Sequence, residues 1–386
     1  MIFGRHSVLK RGCSTWDPRE LPQEEFQARL DAVRQEMARQ GLAALVIYGD
    51  NYAFGDLCYL TNYFPKVRGG IAVVPRDGAL SMLLNIGSRD VPFAKTLTWV
   101  DDVRASNQIG SDGAKLVKEK GFDRAEIGLL DSGRGFPLPQ LEDLRKALPE
   151  VAWRSCDGML EPLRRRKTAR ELTAMRDAGR VLSAIAAGAA DFIRPGRREY
   201  EAIAEIDRLA RDKGAEDIRI LAGTARLNPP SFKQSAVIGG HWAVYLAVQH
   251  ERYWVEAGRT YLLANDAKLR EAQQKAQEIV VKMSEELKPN GAVAAIENVA
   301  RRELGEFYAP ALSYGLANGI GLDLWEAPFF NEDDARQVGA VSAGTRTLEE
   351  NMTMALRVTI ETQGKLAMFS DSFEVTVNGA RSLVSE

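Results

Sequence analysis

The stretch "GLANGIGLDLWEAP", residues 315–328, decides how the second half of this chain reads. Glycines at 315, 319 and 321 allow the close backbone approach that the floor of a packed pocket needs. Among them and after them stand Asn318, Trp325 and Glu326, with no histidine. The segment has the build of a pocket wall, and the question it raises is whether that pocket is catalytic or only a scaffold.

Downstream, "ALRVTIETQGKLAMFSDSFEVTV" (355–377) reads as two strands joined at Gln363-Gly364, a hairpin-turn signal. A two-residue loop there pairs Thr362 with Lys365. Antiparallel counting then sets Glu361 opposite Leu366 and Arg357 opposite Ser370, and period-two alternation puts Arg357 and Glu361 on one face. Upstream, helical patterns over 168–193, 199–213, 266–287 and 293–308 bracket the strand-like "AVIGGHWAVYLAV" and "ERYWVEAGRTYLL". Thr168, with Glu171 three residues on, has capping-box spacing and follows the charged "DGMLEPLRRRK". A domain boundary is expected there, giving domains 1–160 and 161–386. In the first of these a helical pattern over 26–40 stops at Gly41. The runs "LAALVIYGD", "GGIAVVP", "ALSMLLNI" and "EIGLLD" then alternate with helical stretches at 113–120 and 138–147, an α/β pattern.

Composition bounds the function classes. The 386 residues are 45% hydrophobic and 27% charged with a formal net charge of -2, ordinary usage for two globular domains and without the basic footprint of a nucleic-acid binder. The opening residues carry no apolar signal-peptide core, and no apolar run reaches the roughly 18 residues that would span a bilayer. A soluble, cytoplasmic protein with neither nucleic-acid nor membrane partners is expected. Cys13, Cys58 and Cys156 lie too far apart for a paired-thiol zinc site and read as ordinary thiols.

Several ordered motifs carry a resemblance. They are "RRRKTARELTAMRDAGRV" (164–181), "IRPGRREYE" (193–201), "GRT" (258–260), "GIGLDLWEAP" (319–328), "NMTMALRV" (351–358) and "EVTVNGARSL" (374–383). Together they resemble the pita-bread family of creatinase, prolidase, aminopeptidase P and methionine aminopeptidase. The first half, with "RLDAVRQEMARQGLAALVIYGD" and "CYLTNY", looks like the N-terminal domain of the creatinase and prolidase branch. The resemblance implies an α/β N-terminal domain, an α+β pita-bread C-terminal domain and a homodimer.

Metal-dependent members of that family hold two divalent cations with two aspartates, a histidine and two glutamates. Carried over position by position, the first aspartate falls at Tyr245 or Leu246, the second at Glu256 and the histidine at Asn318. The two glutamates become Arg357 and Ser370, which the hairpin register independently sets opposite one another. A guanidinium is incompatible with a cation a few ångströms away, so no metal and no other cofactor is expected.

The resemblance then implies chemistry of the creatinase type, a metal-independent hydrolysis of a carbon–nitrogen bond. Replacing a glutamate by Arg357 favours a small acidic or zwitterionic substrate. Candidate catalytic residues are Glu256, His250, His241 and Glu326, the histidines being the only ones after His6. Candidate substrate-binding residues are Arg357, Asn318, Ser370, Tyr245, Trp325, Arg259 and Glu361, with Tyr253, Trp254 and Phe329 as further aromatic lining. Three alternatives stay open. They are a structural Glu256–Arg357 ion pair in a catalytically silent protein used for binding or assembly, a metal-dependent Xaa-Pro-type peptidase with relocated ligands, and a non-hydrolytic lyase.

Overall fold

Strands and helices alternate through the first half of the chain, as its short apolar runs require. The computed structural model describes residues 15–65, 68–130, 135–229, 236–337, 339–340 and 342–384, so His6 and Cys13 lie outside the described residues. Two units divide between Arg164 and Arg165. The strands of the first are β1 (Ala44–Gly49), β2 (Gly70–Pro75), β3 (Ser81–Leu84), β4 (Val103–Ala105), β5 (Glu126–Leu130) and β6 (Ala152–Ser155), in the sheet order β4-β3-β2-β1-β5-β6. Every residue of β1 is buried, which is why its sequence is continuously apolar rather than alternating. The helix Gln23–Gln40 ends at Gly41, whose φ of 75° is the left-handed cap position that glycine tolerates. Cys58 and Cys156 are buried thiols outside any disulfide.

The second unit is built on β7 (Asp217–Gly223), β8 (His241–His250), β9 (Tyr253–Leu262), β10 (Ala317–Gly319), β11 (Glu326–Phe329), β12 (Thr353–Thr362), β13 (Lys365–Thr376) and β14 (Gly379–Ser382). Their order is β11-β10-β12-β13-β9-β8-β7, with β14 also paired to β13, and every pairing is antiparallel. One face of the sheet is apolar. Leu356, Val358, Ile360, Ala367 and Phe369 share a core with residues of the helices Ala267–Ser284 and Val293–Leu304. The first long helix, Ala169–Ala189, starts on the expected capping box, in which Thr168 and Glu171 each accept the other's backbone N–H. An α/β unit followed by a helix-backed antiparallel sheet is the fold class expected, an α/β domain and an α+β pita-bread domain.

The hairpin register also runs as read, with Thr362 opposite Lys365, Glu361 opposite Leu366 and Arg357 opposite Ser370. Gln363 and Gly364 both have positive φ, 52° and 70°, the turn geometry that matches the twist of the strands they join. Several short elements escaped the sequence, β7 and the helix Gly55–Thr61 among them. The strand β7 begins in alternation with charged Asp217 and Arg219 at the sheet's edge but runs on into Leu221-Ala222-Gly223, so the pattern is too short to stand out. The helix Gly55–Thr61 is too short for a helical period to show. The strand read as starting at 236 begins at His241, after Gly239-Gly240. Among the described residues, no helix is long and apolar enough to cross a membrane.

Gly179 offers a test of which local effect wins. Helix propensity alone favours Gly179→Ala by about 1 kcal/mol. A methyl there would run into the backbone carbonyl of Leu383, which cannot swing aside as a side chain can. The expected result is a net loss of about 1–3 kcal/mol in denaturant unfolding. An unchanged or higher midpoint would show that the chain from β14 onward yields easily.

Candidate functional site

Strand register alone gathers the polar side chains. Arg357 on β12 faces Ser370 on β13, Ser370 faces Gly258 on β9, and Gly258 faces Tyr245 on β8. Asn318 on β10 faces Ala355, two residues from Arg357. Cross-strand partners share a face and side chains alternate along a strand. Tyr245, Glu256, Asn318, Arg357 and Ser370 therefore all project from the face away from the helices. Leu246 takes the other face, which decides between the two positions left open for the first aspartate in favour of Tyr245.

Arg357 is the hub. Its Nη1 donates to Glu256 Oε1 at 3.1 Å and to Asn318 Oδ1 at 3.0 Å, and its Nη2 also donates to Asn318 Oδ1. Tyr245 Oη donates to the other carboxylate oxygen, Glu256 Oε2, at 2.8 Å. Asn318 Nδ2 donates to the carbonyls of Gly319 and Leu324 at 2.6 and 3.2 Å, which fixes the amide with its oxygen toward the guanidinium. The Trp325 ring lies against the guanidinium, 4.3 Å from its carbon to the ring centroid. Gly315, at φ 68°, seats that indole, since a Cβ there would stand 2.6 Å from Trp325 Cη2. Glu256 and Asn318 are fully buried and Arg357 is 2% exposed. Two polar atoms of the cluster, Arg357 Nε and Ser370 Oγ, are buried with no hydrogen-bond partner.

Burial pushes the Glu256 carboxyl above the ordinary carboxylate range, while Arg357 and the Tyr245 hydroxyl pull it back and the charge of Asp371 adds to the rise. The Tyr245 phenol is held well above its usual value, first by burial and then by the Glu256 charge. Tyr245 thus stays protonated and remains a donor to Glu256.

The other expected site residues lie elsewhere. Arg259 is three residues from Glu256 on β9, so alternation turns it to the opposite face, where it lies over the Phe369 ring and its Nη1 donates to the backbone carbonyl of Gly258. Glu361 shares Arg357's face but is exposed near the hairpin turn, roughly 13 Å along the strand. Glu326 pairs with Lys167 Nζ at 2.5 Å, a half-buried charge already neutralised. His241 opens β8, with Nε2 3.0 Å from the Thr224 carbonyl, and His250 sits at the β8–β9 turn with Nδ1 3.2 Å from the Gly214 carbonyl. Neither imidazole joins the cluster. Tyr253 donates to Glu171 at 2.9 Å on the far face, and Phe329 packs with Ala335 and Ala343. Trp254 shares Glu256's face, beneath the Arg219 guanidinium.

Two contributors were missed. Ser372 Oγ accepts from Glu256 N at 2.8 Å and donates to Glu256 O at 3.0 Å, clamping the strand that carries the carboxylate. The hairpin register already puts Ser372 on Ser370's face, and that was the signal available. Lys167 had none, because its partner lies 159 residues away.

These residues do not fit a pair of divalent cations. The five positions hold one carboxylate, Glu256, and the guanidinium at their centre would repel any cation brought beside it. Among the described residues, no three His, Cys, Asp or Glu side chains converge as metal ligands would.

Comparison with known proteins gives a consistent setting. Residues 173–377 match the profile of metallopeptidase family M24, and residues 29–166 match the creatinase/prolidase N-terminal domain. An uncharacterised hydrolase/peptidase of Sinorhizobium fredii is 28% identical over 204 residues, 49% of this chain and 50% of its own length. A Xaa-Pro dipeptidase of Pyrococcus horikoshii is 24% identical over 233 residues, 57% of this chain and 66% of its own. The chain thus spans between half and two thirds of these two relatives. Among solved structures, the prolidase from Pyrococcus horikoshii superposes with a TM-score of 0.76 at 18% identity, covering 93% of this chain and 98% of that one. The X-Pro aminopeptidase from Thermotoga maritima gives 0.77 at 18% identity over 92% and 97%. At such identities the superpositions speak for the fold alone.

Removing Arg357 tests what holds the cluster. Arg357→Ala leaves Glu256 buried without its counter-charge and is expected to cost about 3–5 kcal/mol in unfolding free energy. Adding Glu256→Gln should return a large part of that loss, a coupling that a double-mutant cycle measures directly. Additive effects would mean that the pair is not the bond that matters.

Proposed function

The chain belongs to metallopeptidase family M24, a family of hydrolases, and from that membership we propose a hydrolase that works without a metal ion. Its reaction is the cleavage of a carbon–nitrogen bond in a small acidic or zwitterionic molecule. The observation that carries this reading is the Arg357 guanidinium, which stands among the inherited positions and bonds the one carboxylate among them. A positive centre that replaces a cation-binding array prefers an anionic partner.

In this reaction Glu256 is the base. It takes a proton from a water molecule as the water oxygen bonds to the carbonyl carbon, and returns it to the nitrogen as the carbon–nitrogen bond breaks. Burial favours that task, since it raises the affinity of Glu256 for a proton. Tyr245 orients the carboxylate through its hydrogen bond, and Trp325 supplies a flat apolar surface beside the guanidinium.

A second reading has its own support. Both Glu256 oxygens already accept hydrogen bonds within a fully buried cluster, as suits a structural ion pair in a protein that acts by binding or assembly.

Metal content and turnover separate these readings. The dialysed protein should carry no stoichiometric manganese, cobalt, zinc or iron by elemental analysis. Activity found in a screen of carboxylate-bearing amides and ureas should survive chelation. Glu256→Gln should lower kcat by about 10²-fold or more. Retained stoichiometric metal overturns the metal-free reading, and turnover unaffected by Glu256→Gln removes that residue as the base. A screen with no turnover leaves the binding protein as the better account.

A further inference from the structure

Arginine presents five N–H donors in a fixed planar fork. At Arg357 the bonds to Glu256 and Asn318 occupy three of them, both hydrogens of Nη1 and the Nη2 hydrogen that lies beside Nη1. What remains is Nε–H and the outward Nη2–H, two parallel donors along one edge of the guanidinium plane. Nε is buried and unpartnered, and so is the hydroxyl of Ser370, the residue directly across the strand pair. Side chains so placed have Cβ atoms roughly 4.5–5.5 Å apart. Unsatisfied donors are uncommon in protein interiors, and two on neighbouring residues of one cluster point to a bound group that completes them.

We infer that the free edge of Arg357, together with Ser370 Oγ, is a recognition site for a single carboxylate group. The two carboxylate oxygens accept side-on from Nε–H and Nη2–H, the bidentate geometry that arginine favours, and the serine hydroxyl donates to one of them. Trp325 covers a face of the guanidinium, so the ligand enters in the plane and its flat body lies alongside the indole. Charge selects a monoanion. Glu256 already offsets Arg357, and a phosphate or sulfate dianion would bring two further negative charges beside a buried carboxylate. The inference rests on the reading that Arg357 centres the site, and sharpens it by naming the chemical group bound and the atoms that bind it.

The test uses the full chain titrated with acetate and benzoate, with chloride, sulfate and ethylammonium as comparisons, read by calorimetry and by tryptophan emission, with Trp325→Phe to assign the optical signal. Both carboxylates should bind saturably, benzoate more tightly, and sulfate and ethylammonium should not. Arg357→Lys keeps the charge but loses the parallel donors, and should weaken carboxylate binding about tenfold or more. Ser370→Ala, a small change inside a paired strand, should weaken it by severalfold and serves if the arginine variant fails to fold. Absence of carboxylate binding, chloride binding as tightly as acetate, or binding indifferent to Ser370→Ala would each overturn the inference. Its failure is distinguishable from that of the metal-free hydrolase, because metal content and turnover in the screen of amides and ureas are measured separately.

Discussion

Glu256 and Arg357 carry opposite charges 3.1 Å apart, both buried, and neither charge is tolerable there without the other. The rest of the cluster follows from that constraint. Desolvated charges need their remaining donors and acceptors satisfied, and the sheet supplies the partners from strands on either side. Tyr245 fills the second carboxylate oxygen, Asn318 takes the end of the guanidinium, and Trp325 covers its face. Asn318 is itself locked by two backbone carbonyls, and Ser372 clamps the backbone of Glu256. One ion pair thus ties β8, β9, β10, β12 and β13 together across one face of the sheet.

The contrast with a dinuclear centre is one of self-sufficiency. Several carboxylates crowded together repel one another until cations neutralise them, so such a site depends on its metal. Here one carboxylate meets one guanidinium and the sum is already neutral. The two changes depend on each other. An arginine introduced beside a full set of acidic ligands would have abolished metal binding while leaving excess negative charge. Removal of those acids without the arginine would have left Glu256 buried and unpaired.

How much of this was legible in the sequence depended on the range of each interaction. The Arg357–Ser370 pairing followed from two turn residues, Gln363 and Gly364, because hairpin register is set locally. Its agreement with the positions carried over from the family pattern made the site's composition readable before its geometry. Arg259 was expected in the pocket, although an odd offset from Glu256 on one strand already means the opposite face. The fates of Glu326 and the two histidines were not legible. Lys167 meets Glu326 across 159 residues of sequence, and the carbonyls beside His241 and His250 belong to segments that no periodicity brings near them. Residue type placed these side chains among the candidates, and only long-range packing could remove them.

The unfilled edge of Arg357 connects the ion pair to chemistry. The guanidinium that bonds Glu256, the base in the proposed reaction, has donors to spare. A carboxylate seated on the free edge would share the positive charge, weaken its hold on Glu256 and raise the proton affinity that burial has already lifted. Before such a ligand arrives, the pair is neutral. Afterwards a more basic carboxylate stands next to the bound molecule. On the proposed reading the arrangement makes the base stronger only in the presence of an acidic partner, so that one residue, Arg357, would set both the site's preference in ligand charge and the timing of proton transfer.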